Sequence, residues 1–143
     1  MPEIIRLKDA PKELRKYADQ GEVIFSVCID DNNDAYLVEI KGSEVPTIKF
    51  SELEVVSACT KHNLYPAGIL HTHPCEGGVE CLIPSGADML TFAAIHNDFP
   101  LFCIANKNNF LCYIHVKNDV FFDIVGGLEE LPEKIKFRRV KDE

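Results

Sequence analysis

The stretch HTHPCEGGVECLIPSGAD, residues 71–88, sets the terms for the rest of the chain. It begins where the apolar run PAGIL gives way to histidines, and it closes on SGAD, where a helical pattern starts. Side chains on a strand alternate between faces, so His71 and His73 point the same way and Thr72 points the other. Two imidazoles on one face can share a Zn²⁺ ion with little rearrangement. Pro74 lacks a backbone donor and helps to end the strand. The expected arrangement is a strand carrying metal-type ligands at its C-terminal end, followed by a loop and a helix.

Asp88 falls in the first turn of that helix, where the helix dipole favours a carboxylate. It can serve as a third ligand. His71, His73 and Asp88 leave a fourth position open, the pattern of a catalytic zinc rather than a closed structural one. Zinc lowers the pKa of a bound water to about 7 and so makes hydroxide available at neutral pH. Each piece alone is weak. An H-x-H is common, and SGAD by itself is an ordinary capping box. Hydrolysis also needs a base. Glu22 opens the first long apolar run, EVIFSVCID, while the competing carboxylate Glu39 sits within AYLVEIKG, on an expected solvent face.

Outward from this centre, DAPKELRKYAD reads as a helix with Asp9 as its cap, Pro11 in its first turn and Gly21 after its end. EVIFSVCID and AYLVEIKG form a hairpin across DDNND, and VPTIKF is a candidate third strand. SELEVVSACTKHNL opens with a Ser51/Glu54 capping box, with Leu53, Val56 and Thr60 or Cys59 on one face. PLFCIANK, NFLCYIHVK and DVFFDIV read as three strands joined by Asn- and Lys-rich turns. Strands interleaved with about three helices define an α/β or α+β class around one mixed sheet.

The 143 residues fit one domain, with a core over about 8–125 and a tail over 128–143. A formal charge of -8 argues against nucleic-acid binding, which calls for a basic face. The N-terminus lacks the order of a signal peptide, and no apolar run approaches the roughly 18 residues of a membrane span. The expected compartment is therefore cytoplasmic. Cys28, Cys59, Cys103 and Cys112 lie in apolar runs and read as small buried hydrophobes. Cys75 and Cys81 flank Gly77 and Gly78 beside the histidines. Inert thiols are the default for them. A His71-His73-Cys75-Cys81 metal cage and a reversible disulfide acting as a lid are the alternatives.

Together, Glu22, HTHP at 71–74 and PSGAD at 84–88 resemble the JAMM motif of MPN-domain metalloproteases: a distant Glu, then H-[ST]-H-P, then S-x-x-D. The order of elements from about residue 8 to 125 is similar to the MPN fold. The resemblance implies zinc-dependent hydrolysis of peptide or isopeptide bonds at the C-terminus of a ubiquitin-like or sulfur-carrier protein. It implies zinc on His71, His73 and Asp88, Glu22 as the proton acceptor and donor, and Ser85 as a hydrogen-bond donor to the developing oxyanion. Family members often pair, so by analogy the chain could form a homodimer. Fourteen residues, 74–87, separate His73 from Asp88, about four more than is usual in the family. The surplus falls in CEGGVEC, and loops absorb such insertions at small entropic cost. The alternative function is a non-catalytic MPN scaffold or binding module. A nucleoside deaminase is disfavoured because the H-x-E and P-C-x-x-C signatures are absent.

Overall fold

In the computed structural model, residues 4–17, 21–42, 52–83, 100–116 and 120–135 are described. Their strands form one seven-stranded sheet: β1 (Ile4–Arg6), β2 (Val23–Ile29), β3 (Ala35–Gly42), β4 (Tyr65–Thr72), β5 (Leu101–Ala105), β6 (Asn109–Val116) and β7 (Val120–Gly127). The order across the sheet is β1-β3-β2-β4-β5-β6-β7. Only β4 and β5 run parallel. A parallel pair needs a crossover, and residues 73–100 supply it. That crossover contains the long spacer noted above. Three helices are described: α1 (Ala10–Tyr17), α2 (Glu52–Thr60) and the short α3 (Leu131–Lys134). The class is thus mixed α/β, and no helix among the described residues is long and apolar enough to cross a membrane.

β2 reads VIFSVCI because both of its faces are covered. Val23, Phe25 and Val27 join Leu70, Cys103, Phe110 and the α1 residues Ala10, Leu14 and Tyr17 in one core cluster. Ile24 faces the other way, with Ile69, Phe102, Ile104, Val55 of α2 and Leu82 of the crossover. Gly68 lets β4 and β5 approach, since a Cβ there would collide with the Leu101 backbone carbonyl and Cβ.

Several expectations need correction. α2 buries Val55, Ala58 and Cys59, whereas Leu53 is 73% exposed, because an i, i+3, i+4 stripe starting at Val55 faces the sheet. The supposed tail starts too early: Leu128, Leu131 and Ile135 lie in the main core, with α3 packed beside α1. Strand β1 was not anticipated. It is only three residues long and takes its stability from pairing with β3. The third strand VPTIKF, Ser51 of the capping box and the helix beginning near Ser85 fall outside the described residues.

The cysteines also differ from expectation. Four are buried as foreseen, but they are not isolated: Cys28 bonds to Cys59, tying β2 to α2, and Cys103 bonds to Cys112 across β5 and β6. Cys75 bonds to Cys81 within the crossover.

Candidate metal centre

β2 and β4 are antiparallel neighbours, with Ile24 opposite His71. Continuing that register two residues outward sets Glu22 opposite His73. The pleat keeps Ile24, Glu22, His71 and His73 on one face. The result is a cluster in which one donor atom each from Glu22, His71 and His73 lies within 4.8 Å of the others. Glu22 Oε1 stands 4.0 Å from His73 Nε2. His71 is 5% exposed and lies deepest, with its ring centroid 5.4 Å from Phe102 and 4.9 Å from His73. Glu22 and His73 are half-buried, so among the described residues the cluster is more accessible at their end than at His71.

Two different supports fix the facing pair. On the Glu22 side the support is Thr72, whose side chain points to the opposite face and is 1% exposed. Its hydroxyl accepts from the Val23 backbone N–H at 2.9 Å and donates to the Gly21 carbonyl at 3.1 Å. One hydroxyl thereby grips the chain on both sides of Glu22. Gly21 has φ 91°, a conformation that glycine adopts without steric cost, and this brings the chain into β2 at the required angle.

On the His73 side, the His73 backbone N–H extends the parallel pairing to the Ala105 carbonyl at 2.9 Å. The ring is held through Nδ1, which lies 3.4 Å from the Cys81 backbone carbonyl. A carbonyl oxygen only accepts, so a proton carried on Nδ1 is held by this contact while Nε2 faces Glu22. Imidazole and carboxylate are zinc-type donors, and the three side chains offer one such atom each within 4.8 Å of the others. The donor set therefore fits zinc. Protonation of His73 to form an ordinary ion pair with Glu22 is the competing arrangement, and metal titration separates the two.

The loop that presents the Cys81 carbonyl is itself well anchored. Asn106, 1% exposed, donates from Nδ2 to the Gly77 carbonyl at 2.9 Å, while its Oδ1 accepts from the Asn108 and Asn109 N–H groups at 2.9 and 2.8 Å. Asn108 Nδ2 donates to the Glu76 carbonyl at 2.8 Å. Leu82 ends the short 3-10 turn Val79–Leu82 and is fully buried beneath the cluster face.

Of the residues expected at the site, Glu22, His71 and His73 come together. Ser85 and Asp88 lie outside the described residues. Glu39 is exposed on β3 and belongs to no such cluster among the described residues. The cage His71-His73-Cys75-Cys81 falls, because the two sulfurs are bonded to each other, and the expectation of inert thiols falls with it. The roles of Thr72 and Asn106 went unread. Thr72 offered a signal in its alternation with the histidines, but its partners belong to a strand that only the fold brings near. A groove of about 620 Å³, lined by Arg6, Lys8, Tyr36 and Pro132 among others, opens at the opposite end of β2 and contains none of the clustered residues.

No protein-family model matches the chain, and no curated protein matches it either.

Proposed function

We propose that the chain is a zinc-dependent metallopeptidase of the JAMM type on an MPN-like fold. Its substrate is a peptide or isopeptide bond at the C-terminus of a ubiquitin-like or sulfur-carrier protein. The observation that carries this reading is the convergence of Glu22, His71 and His73 from two neighbouring strands onto one half-buried spot. The sequence motif extends it: His71, His73 and Asp88 would hold the metal, and Ser85 would serve the reacting carbonyl. When bound, zinc supplies Lewis acidity to a water and to that carbonyl. Glu22 takes a proton from the attacking water at a carboxylate oxygen and returns it to the leaving amine. Ser85 donates a hydrogen bond to the oxygen that gains charge. The Thr72 clamp keeps Glu22 opposite His73 during both proton transfers.

The test is cleavage of conjugates and linear fusions of ubiquitin-like proteins ending in Gly-Gly, by zinc-loaded protein and by Glu22→Gln. Loss of about 10²–10⁴-fold in rate with zinc retained is expected for removal of a general base. Cleavage at the wild-type rate by Glu22→Gln would overturn the assignment of the base. A preparation that binds a ubiquitin-like protein but neither holds zinc nor cleaves it would mark a non-catalytic binding module instead.

A further inference from the structure

We propose that the Cys75–Cys81 disulfide is a reducible latch that positions His73, so that the metal affinity of the site depends on the thiol–disulfide state of its surroundings. The inference rests on the reading of Glu22, His71 and His73 as a metal centre, and it concerns residues that reading leaves unused.

Exposure separates the three disulfides. Cys28, Cys59, Cys103 and Cys112 are each 0–1% exposed, whereas Cys75 and Cys81 are half-buried at the surface. Exchange requires a thiolate to reach a sulfur, so the crossover pair is the one open to attack. The second observation is what this pair holds. The Cys81 carbonyl is the oxygen beside His73 Nδ1, and Cys75 Sγ packs 3.2 Å from that same oxygen. The bond closes a ring over a sequence separation of six residues, with two glycines at its tip. The ring closes on the residue that presents this carbonyl to His73. Beyond the ring, Leu82 anchors one end in the core and Asn106 grips Gly77 near the other. Opening the bond therefore loosens the segment between these anchors, where the His73 contact lies, without freeing the whole crossover.

The chemistry is a two-electron exchange with a dithiol, either a small molecule or a protein of the thioredoxin class. A donor thiolate attacks one sulfur of the pair, and the S–S bond breaks to give a mixed disulfide and a free thiolate, which takes a proton. The donor's second thiol then displaces the remaining cysteine. The protein gains two electrons and two protons as two thiols, and the donor leaves as its own disulfide. His73 loses the carbonyl held beside its Nδ1. Partners of this kind, which orient a metal-binding histidine, typically contribute about 10–100-fold in metal affinity.

The latch is tested on the full chain by two measurements. The first follows the His73 ring nitrogens by ¹⁵N NMR in the metal-free protein, oxidised, then treated with a dithiol, and in Cys75→Ser/Cys81→Ser. The proton is expected to sit on Nδ1 in the oxidised form and to redistribute toward Nε2 in the other two. Unchanged His73 shifts would overturn the latch whether or not zinc binds. The second measures zinc affinity by chelator competition. Cys75→Ser/Cys81→Ser, which offers no thiols at this position, is expected to bind about 10–100-fold more weakly than the oxidised wild type. Equal affinity, or tighter binding by the reduced wild type, overturns the latch, the latter because the freed thiolates would then be ligands. A His73 shift that follows the disulfide in a protein with no zinc affinity in any state would support the latch and remove the metal reading alone.

Discussion

Glu22 and His73 face each other at 4.0 Å, yet they are held in contrasting ways. Glu22 is fixed from behind by Thr72, a buried hydroxyl between two strands in the middle of the sheet. Breaking that support means disturbing the core. His73 is fixed from the side by the Cys81 carbonyl on a surface loop, and the loop is closed by a bond that a thiol can reach. In the proposed reading, the base is held permanently and the ligand conditionally. On that reading, the site would change its grip on a metal while its proton acceptor stayed in place.

Four substitutions would break or sharpen that contrast, with effects that shrink in order. Leu82→Ala removes a fully buried anchor, and such truncations cost about 2–5 kcal/mol. Denaturant unfolding should show that loss, with zinc affinity falling even while the Cys75–Cys81 bond is intact. Thr72→Val leaves the Val23 N–H and the Gly21 carbonyl without their bonds, at a cost of about 1–3 kcal/mol for a buried unpaired group. Cleavage should fall with it and zinc binding should not, while Thr72→Ser restores both stability and rate. Cleavage unaffected by Thr72→Val would show that Glu22 needs no such clamp. Cys75→Ser/Cys81→Ser opens a small ring, and chain-entropy arguments limit its stability effect to about 2 kcal/mol, against about 4 kcal/mol for the longer Cys28–Cys59 loop. A larger stability loss from the crossover pair would make it a structural staple rather than a latch. Lys107→Ala removes an exposed ion pair with Glu76, and a change of less than about 1 kcal/mol is expected by thermal melting.

The sequence disclosed one strand of this site and concealed the other. His71 and His73 were legible because strand alternation alone places them on one face. Glu22 could be nominated only through its place in a motif, because nothing in the local pattern says that β2 pairs with β4 or that the register sets residue 22 opposite 73. Register is a property of the assembled sheet, fixed here by matching apolar faces on Ile24, Ile69 and their neighbours. The cysteines divide in the same way. Burial could be read from VIFSVCI and LFCIANKNNFLCYIHV, but partnership could not, because Cys28 meets Cys59 only once α2 lies on β2. Thr72 looked like a spacer between ligands for the same reason. Ile135 looked like part of a tail because its neighbours Lys134 and Lys136 are charged, while the core it enters is formed by residues from the other end of the chain.

The central claim is that His71 and His73 hold a metal beside Glu22. Its most direct test is the zinc content of the purified oxidised protein by elemental mass spectrometry, beside His71→Ala, His73→Ala, Asp88→Ala and Glu22→Gln. The account predicts about one zinc per chain in the wild type and in Glu22→Gln, and little or none in the other three, as an open His-His-Asp site requires. Wild-type protein that takes up no zinc, or histidine variants that keep it, would contradict the claim and leave Glu22 and His73 as an ordinary ion pair.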